Sequence, residues 1–248
     1  MPGLSWLTAK PIAHRGLHDA ATGIIENTAS AFTAAIAGGF SIETDVQISA
    51  DGEAMVHHDD ALGRLTDGSA PLAHMSAAAL KTVTFKASKD RILTLSELCD
   101  LVRGRVPLVI ELKSRFDGDM RLANRVAAVL ETYSGPAAVM SFDPAPIAHL
   151  RNVAPDLTRG IVAERHYDHE EWAGLSAGEK FRLAHLLHAP QTRPQFIAYG
   201  VKDLPAAAPW IARNLFGLPL LTWTVRSEVD RATAARHADQ AIFEGVPP

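Results

Sequence analysis

The 248-residue sequence has a single cysteine, Cys99, so no intrachain disulfide can form and a disulfide-stapled secreted scaffold is excluded. Its apolar neighbours in Leu95–Val102 make it a buried structural residue rather than a nucleophile. Long apolar runs are missing too. Val106–Ile110 and Leu218–Leu221 fall far short of the ~20 residues that span a bilayer, which excludes a transmembrane helix. No run of five like charges occurs, and 24 Lys plus Arg against 28 Asp plus Glu leave a net charge of -4. Without a basic footprint for a phosphate backbone, nucleic acid is not a partner. Met1–Lys10 carry neither a cationic start nor a long apolar centre, so no secretory signal fits there and the chain reads as cytoplasmic. Internal repeats and low-complexity linkers are absent as well, and nothing argues for a second independent domain.

What is present is alternation. Nine short apolar runs read as strands: Pro11–Ala13, Phe40–Val46, Ala54–His57, Pro107–Leu112, Ala137–Met140, Thr158–Val162, Phe196–Tyr199, Pro219–Val225 and Gln240–Phe243. Between most of them lie helical segments, Ala29–Ala37, Leu95–Val102, Met120–Thr132, Pro146–Val153, Pro205–Leu215 and Glu228–Arg236, as expected of parallel βαβ units. One connection differs. Ser49-Ala50-Asp51-Gly52-Glu53 is too short for a parallel crossover and carries an Asp-Gly turn signal, so the third run doubles back on the second. Removing that ribbon leaves eight strands, the number that closes a (β/α)8 TIM barrel of ~250 residues. The reading is one catalytic domain over residues 1–248, with a small insertion after the second strand, 47–92, placed over the barrel mouth. A doubly wound open sheet is the structural alternative.

The charged residues inside these strands carry the chemistry. Residues i and i+2 of a strand share a face, so Glu43 and Asp45 aim together with Cα atoms about 6.6 Å apart. Glu111, near the end of the next barrel strand, can join them. Three converging carboxylates repel one another unless a cation is bound, and hard oxygen ligands select Mg²⁺ or Ca²⁺ over Zn²⁺. Solvated acids paired with Arg or Lys are the plainer reading, but acids set within apolar barrel strands weigh against it. The first strand ends in His14-Arg15-Gly16, bringing an imidazole and a guanidinium to the mouth, and Lys113 adds a second cation suited to a phosphate. The ribbon ends in His57-His58-Asp59-Asp60. Only one of the adjacent His57 and His58 can face the site, and strand alternation leaves the choice open. Two imidazoles beside a phosphate can act as general base and general acid near neutral pH. Asn27 or Thr28 caps the helix that follows, capping alone being sufficient to explain Asn27; Glu26 reads as a support for Arg15 or His14, and Trp223 and Glu244 as strand-end residues lining the pocket, with core packing the alternative for Trp223. The remaining histidines show no convergent spacing.

Taken in order, His14-Arg15-Gly16, Glu26-Asn27-Thr28, Glu43-Thr44-Asp45, His58-Asp59 and Glu111-Leu112-Lys113 resemble the glycerophosphodiester phosphodiesterase family. The resemblance is densest over residues 11–113 and continues through Ser141-Phe142, Trp223-Thr224-Val225 and Ile242–Pro247. It implies a barrel with a small insertion after the second strand, and one divalent cation at Glu43, Asp45 and Glu111. It also implies acid–base work by His14 and His58 and a phosphate grip by Arg15 and Lys113; Trp223, from its place at a strand end, is a candidate substrate contact. The family's His-Asp pair selects His58 over His57. Two positions depart from the family pattern, Arg226 in place of Asn and Glu244 in place of Asp. The implied reaction is hydrolysis of a glycerophosphodiester to sn-glycerol 3-phosphate and an alcohol, with water or the neighbouring glycerol hydroxyl as first nucleophile. The substrate is therefore a small-molecule phosphodiester. Alternatives are lysophospholipase D-type cleavage of a lipid phosphodiester, a non-catalytic phospholigand-binding barrel, and a Schiff-base aldolase using Lys113. Clustered acids argue against the last, because they raise rather than lower a lysine pKa.

Overall fold

Each of the nine apolar runs forms a strand in the computed structural model, which describes residues 3–245; the remaining residues, including Val246 and Pro247 of the family-like terminus, lie outside the described residues. In chain order the strands are β1 (Ile12–Ala13), β2 (Ser41–Ile48), β3 (Ala54–Val56), β4 (Leu108–Leu112), β5 (Ala137–Ser141), β6 (Thr158–Ala163), β7 (Phe196–Gly200), β8 (Leu220–Val225) and β9 (Gln240–Phe243). Eight of them are parallel, and β1 pairs with both β2 and β9, so the sheet closes on itself. That closure makes it a (β/α)8 barrel and rules out the doubly wound open sheet. β3 runs antiparallel to the outer end of β2, with Val46 opposite Val56, as the Asp-Gly turn requires.

The helices are α1 (Ser5–Thr8), α2 (Ala29–Ala37), α3 (Ala77–Leu80), α4 (Leu95–Val102), α5 (Arg121–Glu131), α6 (Pro144–Val153), α7 (Ala177–Ala184), α8 (Ala189–Thr192), α9 (Ala207–Asn214) and α10 (Glu228–His237). Six coincide with the helical segments read from sequence. α7 and α8, between β6 and β7, escape that reading because the segment is polar and broken by Pro190, although the Ser176/Glu179 capping box marks where α7 begins. α1 is only four residues long, too short for a periodic pattern; its Leu7 is buried among the apolar residues of the barrel interior.

Alternation along the strands sorts the side chains into two cores. Ile42, Val46, Leu108, Ile110 and Leu112 pack outward against Phe32, Leu95, Leu98, Leu122 and Val126 of the helices. Ile12, Val109, Ala138, Met140, Val162, Phe196, Leu221 and Ile242 fill the interior. The residues two places further along several of these strands are His14, Glu111, Phe142, Glu164, Trp223 and Glu244, all of which line one cavity or bond to a residue that does. The insertion packs a small core of its own around Met55, Leu62, Leu72, Leu80, Phe85 and Ile92. Cys99 is buried in the helix-facing core, and burial pushes its thiol up to about 12, which fits a structural residue.

The turn out of β1 is tight. Arg15 and Gly16 both have positive φ (57° and 81°), and a Cβ on Gly16 would lie 2.9 Å from Ala31 of α2. Gly16→Ala therefore forces a shift where His14 and Arg15 are aimed. It should cost about 1–3 kcal/mol, read as a lower urea midpoint, whereas an unchanged midpoint would mean that α2 does not press on this turn.

Candidate active site

Asp45 and Glu111 stand directly opposite each other in the β2–β4 register, and Glu43 lies two residues before Asp45 on the same face. One carboxylate oxygen from each of the three falls within 4.8 Å of the others, and all three residues are buried. Lys113 Nζ sits 2.9 Å from Asp45 Oδ1 and 2.5 Å from Glu111 Oε1, while Arg15 Nε lies 3.3 Å from Asp45 Oδ2. Burial alone would raise Asp45, but Lys113, His58 and Arg15 overcome it and hold its carboxyl far below the usual range. Glu43 goes the other way: burial, then the neighbouring Asp45 and Glu111, push it well above its ordinary value. Its Oε2 accepts from the Arg15 backbone N–H at 3.0 Å, yet its Oε1 is buried with no partner. An orphaned carboxylate oxygen beside two further carboxylates fits a divalent cation of the hard, oxygen-preferring kind. Glu43, Asp45 and Glu111 are the residues that would hold it.

Asn27 has a different role from the expected cap. Thr28 caps α2, its hydroxyl accepting from the Ala31 N–H, and Asn27 turns inward with φ of 57°. Its Nδ2 donates to Asp45 Oδ2 at 2.9 Å, and its Oδ1 accepts from the Thr44 hydroxyl at 2.8 Å. It thereby fixes the carboxylate that Lys113 and Arg15 contact. Glu26 lies against Arg15: its Oε1 accepts from Arg15 Nη1 at 2.7 Å and also from Arg64 Nη2 at 2.7 Å.

The two imidazoles are held differently. His14 Nδ1 lies 3.0 Å from Glu244 Oε2, and its Nε2 is 3.9 Å from Glu43 Oε2. Burial lowers His14 to about 4 against the pull of Glu244, so the ring is neutral at pH 7. With Nδ1–H donated to Glu244, Nε2 carries the free lone pair. Glu244, in sequence a lining residue of open role, thus orients His14, and its second partner is the other departing position: Arg226 Nη2 donates to Glu244 Oε2 at 2.7 Å. The two departures from the family pattern are one ion pair. His58 lines the cavity with its Nδ1 2.9 Å from Asp59 Oδ1, which leaves Nε2 available. His57 is buried outside it, with its backbone N–H bonded to the Asp45 carbonyl.

These groups share a cavity of about 250 Å³ at the carboxyl ends of the strands, where His14, Arg15, Glu43, His58, Glu111 and Lys113 face Phe142, Glu164, Trp172 and Trp223. A wider groove of about 870 Å³ continues past His58, Asp59 and Arg64. Trp223 meets Phe142 edge to face with centroids 5.5 Å apart. Phe142 enters the sequence reading only through the family-like Ser141-Phe142, Glu164 and Trp172 not at all. The first two follow Met140 and Val162 by two residues, so extending the interior alternation past the strand ends finds them; Trp172 lies on a connection without such a pattern.

A closed barrel with buried acids, two cations and two imidazoles at its mouth defines a hydrolytic phosphoester centre. The chain matches the glycerophosphoryl diester phosphodiesterase family over residues 14–246. It belongs to that family, and its enzyme class is that of the glycerophosphodiester phosphodiesterases. A glycerophosphodiester phosphodiesterase of Caldanaerobacter subterraneus subsp. tengcongensis is 27% identical over 229 residues, covering 88% of this chain and 86% of that relative. Among solved structures, a phosphodiesterase of Oleispira antarctica in complex with the product sn-glycerol-3-phosphate superposes with a TM-score of 0.75 at 21% identity, covering 96% of this chain and 94% of the other. A glycerophosphodiester phosphodiesterase of Thermotoga maritima gives 0.70 at 22% identity, covering 94% and 92%. These two share the fold.

Because Glu43 is raised in the folded chain, its contribution is favourable only while it is protonated and is lost as pH climbs above the ordinary carboxylate range. In chelated protein Glu43→Gln should therefore raise Tm at pH 7–8, with the gain shrinking towards pH 4–5. The Tm increase that a divalent cation confers on the parent should disappear in the variant. A lower Tm for the chelated variant at pH 8 would contradict this charge balance.

Proposed function

We propose that this protein hydrolyses glycerophosphodiesters to sn-glycerol 3-phosphate and an alcohol, using one divalent cation, Mg²⁺ or Ca²⁺, at Glu43, Asp45 and Glu111. The observation that carries the reading is the meeting of His14, from β1, and His58, from the insertion, in one cavity with the acid cluster, Arg15 and Lys113. Arg15 and Lys113 hold the phosphate oxygens, Glu26 steadies Arg15, and Trp223 packs against the substrate. The cation, when bound, supplies positive charge to a phosphate oxygen. His14 Nε2 takes the proton of the attacking water as its oxygen bonds to phosphorus, and Glu244 stabilises the imidazolium that results; where the neighbouring glycerol hydroxyl attacks first, a second such step with water opens the cyclic phosphate to sn-glycerol 3-phosphate. As the bond from phosphorus to the alcohol oxygen breaks, His58 delivers a proton to the departing oxygen. Neutral His14 and a proton on His58 are the states this division needs.

Soluble diesters are favoured over lipids. A lipid substrate needs an apolar rim on the insertion, yet among the described residues the large exposed hydrophobics, Val153, Phe181, Leu187, Trp210, Ile211, Leu215, Phe216 and Val229, all lie outside 47–92. No helix among the described residues is long and apolar enough to cross a membrane. The reading includes a single catalytic domain, with the insertion as a wall over the mouth, working in the cytoplasm.

Chelation should abolish turnover of glycerophosphocholine, and Mg²⁺ or Ca²⁺ should restore it; full activity in metal-free protein would remove the acid cluster from the mechanism. His14→Ala and His58→Ala should each lose at least about 100-fold on this diester. On a nitrophenyl phosphodiester, whose leaving group needs no proton, His58→Ala should keep much of its rate while His14→Ala stays impaired. If His57→Ala were the variant that lost activity instead, the ribbon would face the site in the opposite register.

A further inference from the structure

The cavity wall across from the histidines is built unlike the rest. Phe142 lies 4.9 Å from Trp172 between ring centroids, tilted by 48°, and 5.5 Å from Trp223, and Tyr167 backs Trp172 at 5.2 Å. Glu164 is set into this aromatic wall, its Oε1 accepting from Trp172 Nε1 at 2.6 Å. Of the other acids around the cavity, Asp45 and Glu111 have Lys113, Glu26 has Arg15 and Arg64, and Glu244 has Arg226, while Glu43 belongs to the acid cluster opposite. Glu164 has no Lys or Arg partner among the described residues, and its neighbours Glu171 and Asp203 add negative charge, offset in part by the Trp172 hydrogen bond and by His169. Burial pushes its carboxyl up to about 7, the mark of a charge the protein does not compensate.

Aromatic faces around an unpaired carboxylate form the chemistry that binds an alkylammonium, by cation–π attraction and direct charge pairing. The wall shares its cavity with Lys113 and His58, where phosphate and leaving oxygen are placed. Arg226, the cation on the same lining, is already matched by Glu244 at 2.7 Å and does not oppose a positive ligand at Glu164. We propose that Phe142, Glu164, Trp172 and Trp223 form a subsite for the alcohol half of the diester, selecting a cationic amino alcohol of the choline type. This rests on the phosphodiesterase reading above and adds the leaving-group class to it.

The test compares glycerophosphocholine with glycerophosphoglycerol, whose alcohol is uncharged. Parent enzyme should favour the choline diester in kcat/KM by at least about tenfold, the scale of a desolvated cation–π contact with charge pairing. Glu164→Gln keeps an oxygen for Trp172 Nε1 but removes the charge. It should erase the preference, read as a rise in KM for the choline diester that glycerophosphoglycerol does not share. An unchanged preference in Glu164→Gln, or parent enzyme favouring the uncharged diester, overturns the subsite. Inactivity on both diesters overturns the phosphodiesterase reading instead, and a fluorescence titration separates the two questions without turnover. Choline should shift tryptophan emission of the parent saturably, and its uncharged isostere 3,3-dimethyl-1-butanol should bind at least about tenfold more weakly. Equal binding of the two, or no saturation by choline, overturns the subsite whatever the variant does.

Discussion

Three carboxylates held within 4.8 Å of one another beneath the surface set the terms for everything around them. Like charges at that separation in a dry site do not coexist without compensation, and the chain answers with unequal means. Asp45 receives Lys113, Arg15 and the amide of Asn27, and is fully ionised. Glu43 receives one backbone N–H and keeps an oxygen with nothing on it. The asymmetry suits the cluster to an external cation, since a set of acids balanced internally would have no residual charge to offer. Lys113 is raised by the same pair of acids that it neutralises, burial notwithstanding, so it remains a fixed positive charge rather than an amine available for imine chemistry.

The barrel makes this arrangement affordable through its geometry. One strand face supplies both the apolar plug of the interior and, two residues on, the polar floor of the cavity, as Ile12 leads to His14, Val109 to Glu111, Val162 to Glu164 and Ile242 to Glu244. Side chains that must be aimed to within fractions of an ångström stand next to residues locked by packing, and the neighbours in register, Asp45 and Glu111, come from two strands hydrogen-bonded directly to each other. Loops contribute the remaining parts: the insertion brings His58 and Asp59, and the β6–β7 connection brings Trp172.

Much of this was legible in the residues themselves. Strand positions and the reversal at Asp51-Gly52 follow from local pattern, and Glu43, Asp45 and Glu111 from a period of two, because these are short-range properties of the chain. Less legible were features set by distant partners. Asn27 beside Thr28 satisfies every local criterion for a cap, and only the approach of β2 reveals that its side chain is committed to Asp45. The partnership of Arg226 with Glu244 joins two strands whose lateral contact no local pattern encodes, and Glu244 meets His14 across 230 positions. Glu164 lay within reach of the alternation rule but beyond the apolar run that defined its strand. α7 and α8 were lost because a polar segment interrupted by proline carries little periodicity.

Arg64 has a consequence for how such a protein can be cut and joined. Its guanidinium bonds Asp59, the partner of His58, on one side and Glu26, the partner of Arg15, on the other. A continuous relay of charges therefore runs from the insertion, through the loop after β1, to Arg15. The insertion and that loop are tied together although 38 positions separate Glu26 from Arg64. A chimera that exchanged the insertion while retaining its own first loop would import a histidine without the brace that aligns it, so the natural seam of this barrel runs around both segments together and not at the boundaries of either.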